Sequence, residues 1–194
     1  LYGYVVGSAI AKGQINSIDL GEAKAAPGVI GILSTLDHEP VPLMGFNTAN
    51  LFGGREVQHY HQAIALVVAE TFEQARAAAS LVRVRYDRAP GQFDLAAIAP
   101  SAPAKEDSTV RHGDFDAAYA SAPVTVDATY TTPDESHAMM ECHSSIANWE
   151  GDKVTVWTSN QMIQWNKQSL ATALKIPAEN VRIDSPYLGG GFGS

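Results

Sequence analysis

Apolar positions along this chain fall into short runs of strand length, parted by stretches rich in glycine, proline and alanine. YVVGSAI (Tyr4 to Ile10), INSID (Ile15 to Asp19) and VIGILS (Val29 to Ser34) are three such runs. Between the last two, GEAKAAPG predicts a short helical turn broken by Pro27 and Gly28. Residues 37 to 62 carry Pro40, Pro42, Gly45, Gly53 and Gly54 and predict a loop-rich surface excursion. IALVVAE (Ile64 to Glu70) is a fourth β-rich run. Thr71 then caps a helix, with Gln74 three positions on as in a capping box, and VRVRYD (Val82 to Asp87) alternates as a half-buried strand. Strand, helix and strand in so short a span predict a compact α/β unit.

The pattern changes beyond residue 89. Ala89 to Gly113 is dominated by Ala, Pro, Ser and Asp, with APSAPAKEDS at its centre, and predicts a linker. The domains predicted are therefore 1–105 and 106–194. In the second, Asp114 caps a short helix and VTVDATYTT (Val124 to Thr132) alternates as a strand. Cys142 to Trp149 and Lys153 to Ser159 predict a hairpin turning at Glu150-Gly151-Asp152. A helix from Met162 to Lys175 stops before Pro177, and NVRIDS (Asn180 to Ser185) is a strand feeding the run GGGFGS. The chain thus reads as α+β.

Composition narrows the functions. The 194 residues are 45% hydrophobic, which suits a globular core, and carry a net charge of −8 without any basic run, which argues against nucleic acid as a partner. Cys142 is the sole cysteine, so neither an internal disulfide nor a cysteine cage for a metal can form. The longest apolar stretch, Ala63 to Ala69, is too short to span a bilayer, and the first residues lack the pattern of a signal peptide. The absence of an initiator Met and the start inside a strand predict that both ends are cuts.

Several clusters invite chemistry. In HAMMECH, an extended backbone would align His137, Met139, Glu141 and His143 on one face, and two imidazoles with a carboxylate can bind zinc or iron. Parallel side chains converge poorly on one ion, however, so packing or contact with a larger ligand is the stronger reading. His59 and His61 in HYH are a weaker case of the same kind. Cys142 has no base on its side of a strand, and Ser159 and Ser194 lack the elbow of a serine hydrolase. TSNQ (158 to 161) at a strand-to-helix junction fits an N-terminal cap by Ser159 or Asn160. The run of Gly189, Gly190, Gly191, Phe192 and Gly193 matches neither nucleotide fingerprint, and alone it reads as a tight turn or packing site.

Together WTSNQ, the helix after it, KIPAENVR and GGGFGS resemble the molybdenum-binding subunit of the xanthine dehydrogenase and aldehyde oxidase family, closest to its prokaryotic aldehyde-oxidising members. DESHAMMECHSSIANWEGDKVTVW resembles the segment preceding these motifs there, and LYGYVV, AAPGVIGIL and AIALVVAETFEQARAAASLVRVRY resemble the family's α/β-hammerhead domain. The resemblance implies a hammerhead domain, its first strand missing, followed by the start of the molybdenum-cofactor-binding domain. It implies oxidation of aldehydes or N-heterocycles with oxygen drawn from water. It also implies a molybdopterin cofactor in its cytosine dinucleotide form, with iron–sulfur clusters and FAD on partner subunits or domains.

Carried over residue by residue, Gln161 matches the glutamine that hydrogen-bonds a molybdenum ligand. Phe192 matches the loop residue whose backbone amide reaches the metal's apical oxygen, with Gly191 and Gly193 flanking it. Cys142 stands where the family has proline, and His61 where glycine is expected before Gln62. The family's general-base glutamate has no counterpart here, so no catalytic residue is expected and the isolated chain is expected to be inactive. The rest of the subunit would be an obligatory partner. Localisation, cytoplasmic or periplasmic by way of a partner's export signal, stays open. Two rival readings stay open as well: a free-standing nucleotide- or protein-binding module, and a metallohydrolase on His137, Glu141 and His143.

Overall fold

A computed structural model describes residues 1–42, 51–103, 110 and 112–193. The first sheet has the order β1 (Tyr2–Gly7), β5 (Ala63–Ala69), β3 (Val29–Ser34), and both of its pairings are antiparallel. The uninterrupted apolar run of β5 explains its central place: paired on both edges, it buries Ile64, Ala65, Val67 and Ala69. Helix α2 (Phe72–Ala79) covers one face, seating Ala78 and Ala79 on Val67. Its N-terminus has the predicted capping box, with the Gln74 amide donating to Thr71 Oγ1 at 3.2 Å and the Thr71 amide donating to Gln74 Oε1 at 3.0 Å.

The second sheet has the order β4 (Glu56–Val57), β2 (Gly13–Asp19), β6 (Arg83–Arg88). Ile15 and Val57 from it meet Ile10 and Ile64 in a shared core, so the two sheets are fastened by one apolar cluster. The strand–helix–strand unit therefore differs from its expected form. β5 and β6 flank α2 in sequence but lie in different sheets, because each pairs antiparallel with an earlier strand. Strand β1 also starts earlier and ends sooner than expected. It stops at Gly7, where the Ser8 hydroxyl turns in to donate to the Ile10 carbonyl at 2.6 Å. Helix α1 (Gly21–Lys24) is the short turn expected before Pro27.

The predicted linker is not wholly irregular. Asp94 caps a single helical turn, α3 (Leu95–Ile98), which runs into a 3-10 turn over Ala99–Ser101. The boundary near residue 105 lies outside the described residues. Helix α4 (Phe115–Ser121) starts as expected at Asp114, whose carboxylate accepts from the Ala117 amide at 3.0 Å.

A third sheet has the order β7 (Ser145–Glu150), β8 (Lys153–Thr158), β9 (Val181–Asp184). The β7–β8 hairpin turns as expected at Gly151, whose φ of 64° suits a tight turn, but β7 begins at Ser145 and not at Cys142. β8 and β9 are parallel, connected through α5 (Ile163–Leu174), which packs Ala171 onto Val154 and Val181. Lys175 ends this helix in the left-handed region at φ 55°, with the Ile176 amide returning to the Ala171 carbonyl at 3.0 Å. The Lys175 Nζ also reaches Glu39 Oε2 at 2.6 Å, which ties the end of α5 to the loop after β3.

Two predicted extended segments are not strands. Residues 124–132 are irregular and exposed, with Val124 and Val126 each 80% accessible. Their alternation suits a sheet face, but no strand among the described residues pairs with them. Residues 137–143 are irregular too, and Ala138 at φ 41° breaks the period of two that would align His137, Glu141 and His143.

Candidate functional site

The parallel pairing of β8 and β9 brings their carboxyl ends side by side, and both TSNQ and the glycine run leave from those ends. In open α/β sheets that edge is where ligands bind, since the chain leaves it in loops flanked by helix N-termini. Here Asn160 organises the junction. Its amide donates to Ser185 Oγ at 3.1 Å, just past β9. Its Oδ1 accepts from the Met162 amide at 2.8 Å and from Asn166 Nδ2 at 3.0 Å. The expected side-chain cap thus takes the form of a turn one step before α5, and Ser159 plays no part in it.

Gln161 follows directly and lies against the glycine run. Gly191 is buried, and a Cβ added there would overlap the Gln161 carboxamide. The bare backbone is thus what admits this side chain. Gly190 at φ 124°, Phe192 at φ 56° and Gly193 at φ 95° bend the loop through conformations that most side chains avoid. Phe192 accepts that backbone while the residue stays 77% exposed.

Gln161, Gly191 and Gly193 come together in one cleft of about 410 Å³, which Glu141, His143 and Trp165 also line. The Phe192 side chain lines a neighbouring hollow instead, with Glu135, Ser136 and His137. Sequence reasoning placed Glu141 only among possible metal ligands, and the structure gives it different partners. Its carboxylate accepts from the Ser159 hydroxyl on one oxygen and from the Gly189 amide on the other. These two hydrogen bonds, that of Ser159 first, hold its carboxyl below the usual glutamate range, so it is ionised at neutral pH. Partners 18 and 48 positions away leave no signal in local spacing.

The other candidates separate. Among the described residues no three of the His, Cys, Asp and Glu side chains are grouped so as to hold a metal ion. His137 and His143 line different hollows. The Ser159 hydroxyl is committed to Glu141, Cys142 is an exposed thiol, and Ser194 lies outside the described residues. His61 sits over Gly7, where an added Cβ would lie 2.6 Å from the imidazole ring.

The donor set of the cleft is neutral: carboxamides of Gln161 and Asn160 and the amides of a side-chain-poor loop, with no lysine or arginine in the lining. A nucleotide phosphate would find no cation there. A bulky oxygen-rich group that needs fixed donors close to its oxygens is well matched, because Gly191 leaves room beside the carboxamide. The one carboxylate, Glu141, already has two protein donors. No helix among the described residues is long and apolar enough to cross a membrane.

Comparison with known proteins agrees with this chemistry. Residues 1–90 match the family model described as the a/b hammerhead domain of aldehyde oxidase and xanthine dehydrogenase, and residues 98–194 match that of the molybdopterin cofactor-binding domain. The chain is 56% identical over 194 residues to the aldehyde oxidoreductase molybdenum-binding subunit PaoC of Escherichia coli O157:H7, covering 99% of this chain and 26% of that protein. It is 30% identical to the nicotinate dehydrogenase large molybdopterin subunit of Eubacterium barkeri, covering 48% of it. Among solved structures, CO dehydrogenase from Oligotropha carboxidovorans superposes with a TM-score of 0.78 at 26% identity, over 98% of this chain and 28% of that one. The chain spans about a quarter of the length of the PaoC subunits it matches.

Proposed function

This chain belongs to the aldehyde oxidase and xanthine dehydrogenase family, and on that premise we propose that it forms part of a molybdenum hydroxylase that oxidises aldehydes or N-heterocycles. When bound, the molybdenum cofactor supplies a two-electron redox centre for inserting water-derived oxygen into the substrate. The observation that carries the reading is the packing of the Gln161 carboxamide on the bare backbone of Gly191, at the carboxyl ends of two parallel strands.

In this reading Gln161 and the Phe192 backbone amide would hold the cofactor by hydrogen bonding, and Gly191 and Gly193 would give it access. A neutral carboxamide and a backbone amide orient an anionic group without adding a charge of their own. No residue of the chain is assigned as general base, so the proposed activity requires further parts of the enzyme. An aldehyde substrate is proposed from the 56% identity to a subunit of an aldehyde oxidoreductase, and the cytosine dinucleotide form of the pterin and iron–sulfur and flavin partners are proposed from the family resemblance alone. We further place the domain division at about residue 105. In its support, among the described residues no sheet combines strands from both sides of that point.

Metal analysis of the native protein carrying this chain tests the reading. About one molybdenum per subunit is expected, with Gln161→Ala reducing aldehyde turnover about a hundredfold, as for other lost donors of this kind. Native protein without molybdenum would overturn it.

A further inference from the structure

Three segments distant in sequence meet on one carboxylate. Glu141 stands in an irregular stretch, with no helix or strand of its own. Its Oε1 accepts from the Ser159 hydroxyl, just past the end of β8, and its Oε2 accepts from the amide of Gly189, the first glycine of the loop. A Cβ at Gly189 would lie 2.6 Å from the Glu141 Cβ, so the missing side chain is what lets the carboxylate come close. Three residues of the run that follows, Gly190, Phe192 and Gly193, have positive φ.

We propose that Glu141 is a positioning residue, pinning Gly189 to Ser159 so that Gly191 is held against Gln161. A loop with four glycines in five positions has a large conformational entropy to lose on ordering. One charge-assisted hydrogen bond at its first residue, Gly189, and a second between the same carboxylate and Ser159 offset that loss where the glycine run begins. The Asn160 to Ser185 hydrogen bond joins the segments that follow the same two strands. Glu141 therefore sets the loop's direction, while the residues that face the cofactor are Gln161 and the loop amides. That catalytic consequence rests on the function proposed above; the clamp itself does not.

The role calls for geometry more than charge. A glutamine at 141 can still accept from the Gly189 amide and donate to Ser159 Oγ, whereas an alanine can do neither. Amide exchange, read by mass spectrometry on the native protein that carries this chain, tests the clamp together with molybdenum content. In Glu141→Ala, exchange across residues 186–193 is expected to rise about tenfold while β8 keeps its protection, and Glu141→Gln is expected to restore most of it. Unchanged exchange in Glu141→Ala overturns the clamp, whatever the metal content. If that variant does not fold, Ser159→Ala removes one donor only, and a smaller rise confined to 186–193 is expected; no rise overturns the clamp equally. If the loop loosens but molybdenum stays at the parent level, the clamp stands and the loop's proposed hold on the cofactor falls.

Discussion

Gln161 and Gly191 share one space, since a single added carbon on the glycine would occupy the place of the glutamine's carboxamide. The parallel pairing of β8 with β9 makes this possible, because it sets the residues that follow the two strands beside each other. A site that depends on an absent side chain is sensitive to the smallest substitution. Gly191→Ala is therefore expected to displace Gln161 and lower molybdenum occupancy of the native protein about 10- to 100-fold, the range for lost supporting contacts. Metal analysis of purified variants checks it, and full occupancy with normal turnover would refute the dependence.

Acid should loosen the glycine loop. Glu141 has its folded-state carboxyl held below the ordinary value of 4.5 by the Ser159 hydroxyl and the Gly189 amide. Between the two values the unfolded chain binds more protons than the folded one. The contribution is therefore complete above pH 4.5 and is lost as pH falls through the depressed value. Exchange at residues 186–193 should rise in that window in the parent and be flat there in Glu141→Gln. An identical acid profile in both would exclude Glu141 as the titrating group.

His61 and Gly7 form a second pair of this kind. His61 adopts φ 63°, where glycine is the least strained residue, and its ring lies over the bare backbone of Gly7. Gly7→Ala is expected to cost about 1–3 kcal/mol through overpacking in the parent and close to nothing in a His61→Gly background. A double-mutant cycle by denaturant unfolding measures the coupling. Equal costs in the two backgrounds would mean that the ring is not what confines Gly7.

The cap of α2 offers a purely structural test. Thr71 Oγ1 accepts from the Gln74 amide while the Gln74 side chain accepts from the Thr71 amide. Thr71→Ala should cost about 1 kcal/mol and raise amide exchange across residues 72–79. Exchange confined to parent levels there would show that packing of Ala75, Ala78 and Ala79, all buried, holds the helix without its cap.

Much of this architecture was legible in the chain. The β7–β8 hairpin, the capping box of α2, the cap at Asp114, the end of α5 before Pro177 and strand β3 all follow from residues within a few positions of one another. Such signals are local because a turn, a cap and a helical face are each completed by near neighbours. The same holds for the two parts of the candidate site taken singly, Gln161 at a strand-to-helix junction and the glycine run after a strand.

What tertiary structure decided was partnership. Val124 to Thr132 alternates as a strand should, yet it stays irregular because alternation describes a face and cannot supply a neighbour to pair with. β5 and β6 look like the strands of one unit and enter different sheets, since β1 and β3 take the two edges of β5 while β2 pairs with β6. Glu141 looked like one member of an aligned face of possible metal ligands. It instead joins Ser159 to Gly189 across 18 and 48 positions. Sequence determined which segments could be strand, helix or glycine turn. Only the closed chain could determine which of them met, because a hydrogen bond between distant residues depends on every fold decision made between them.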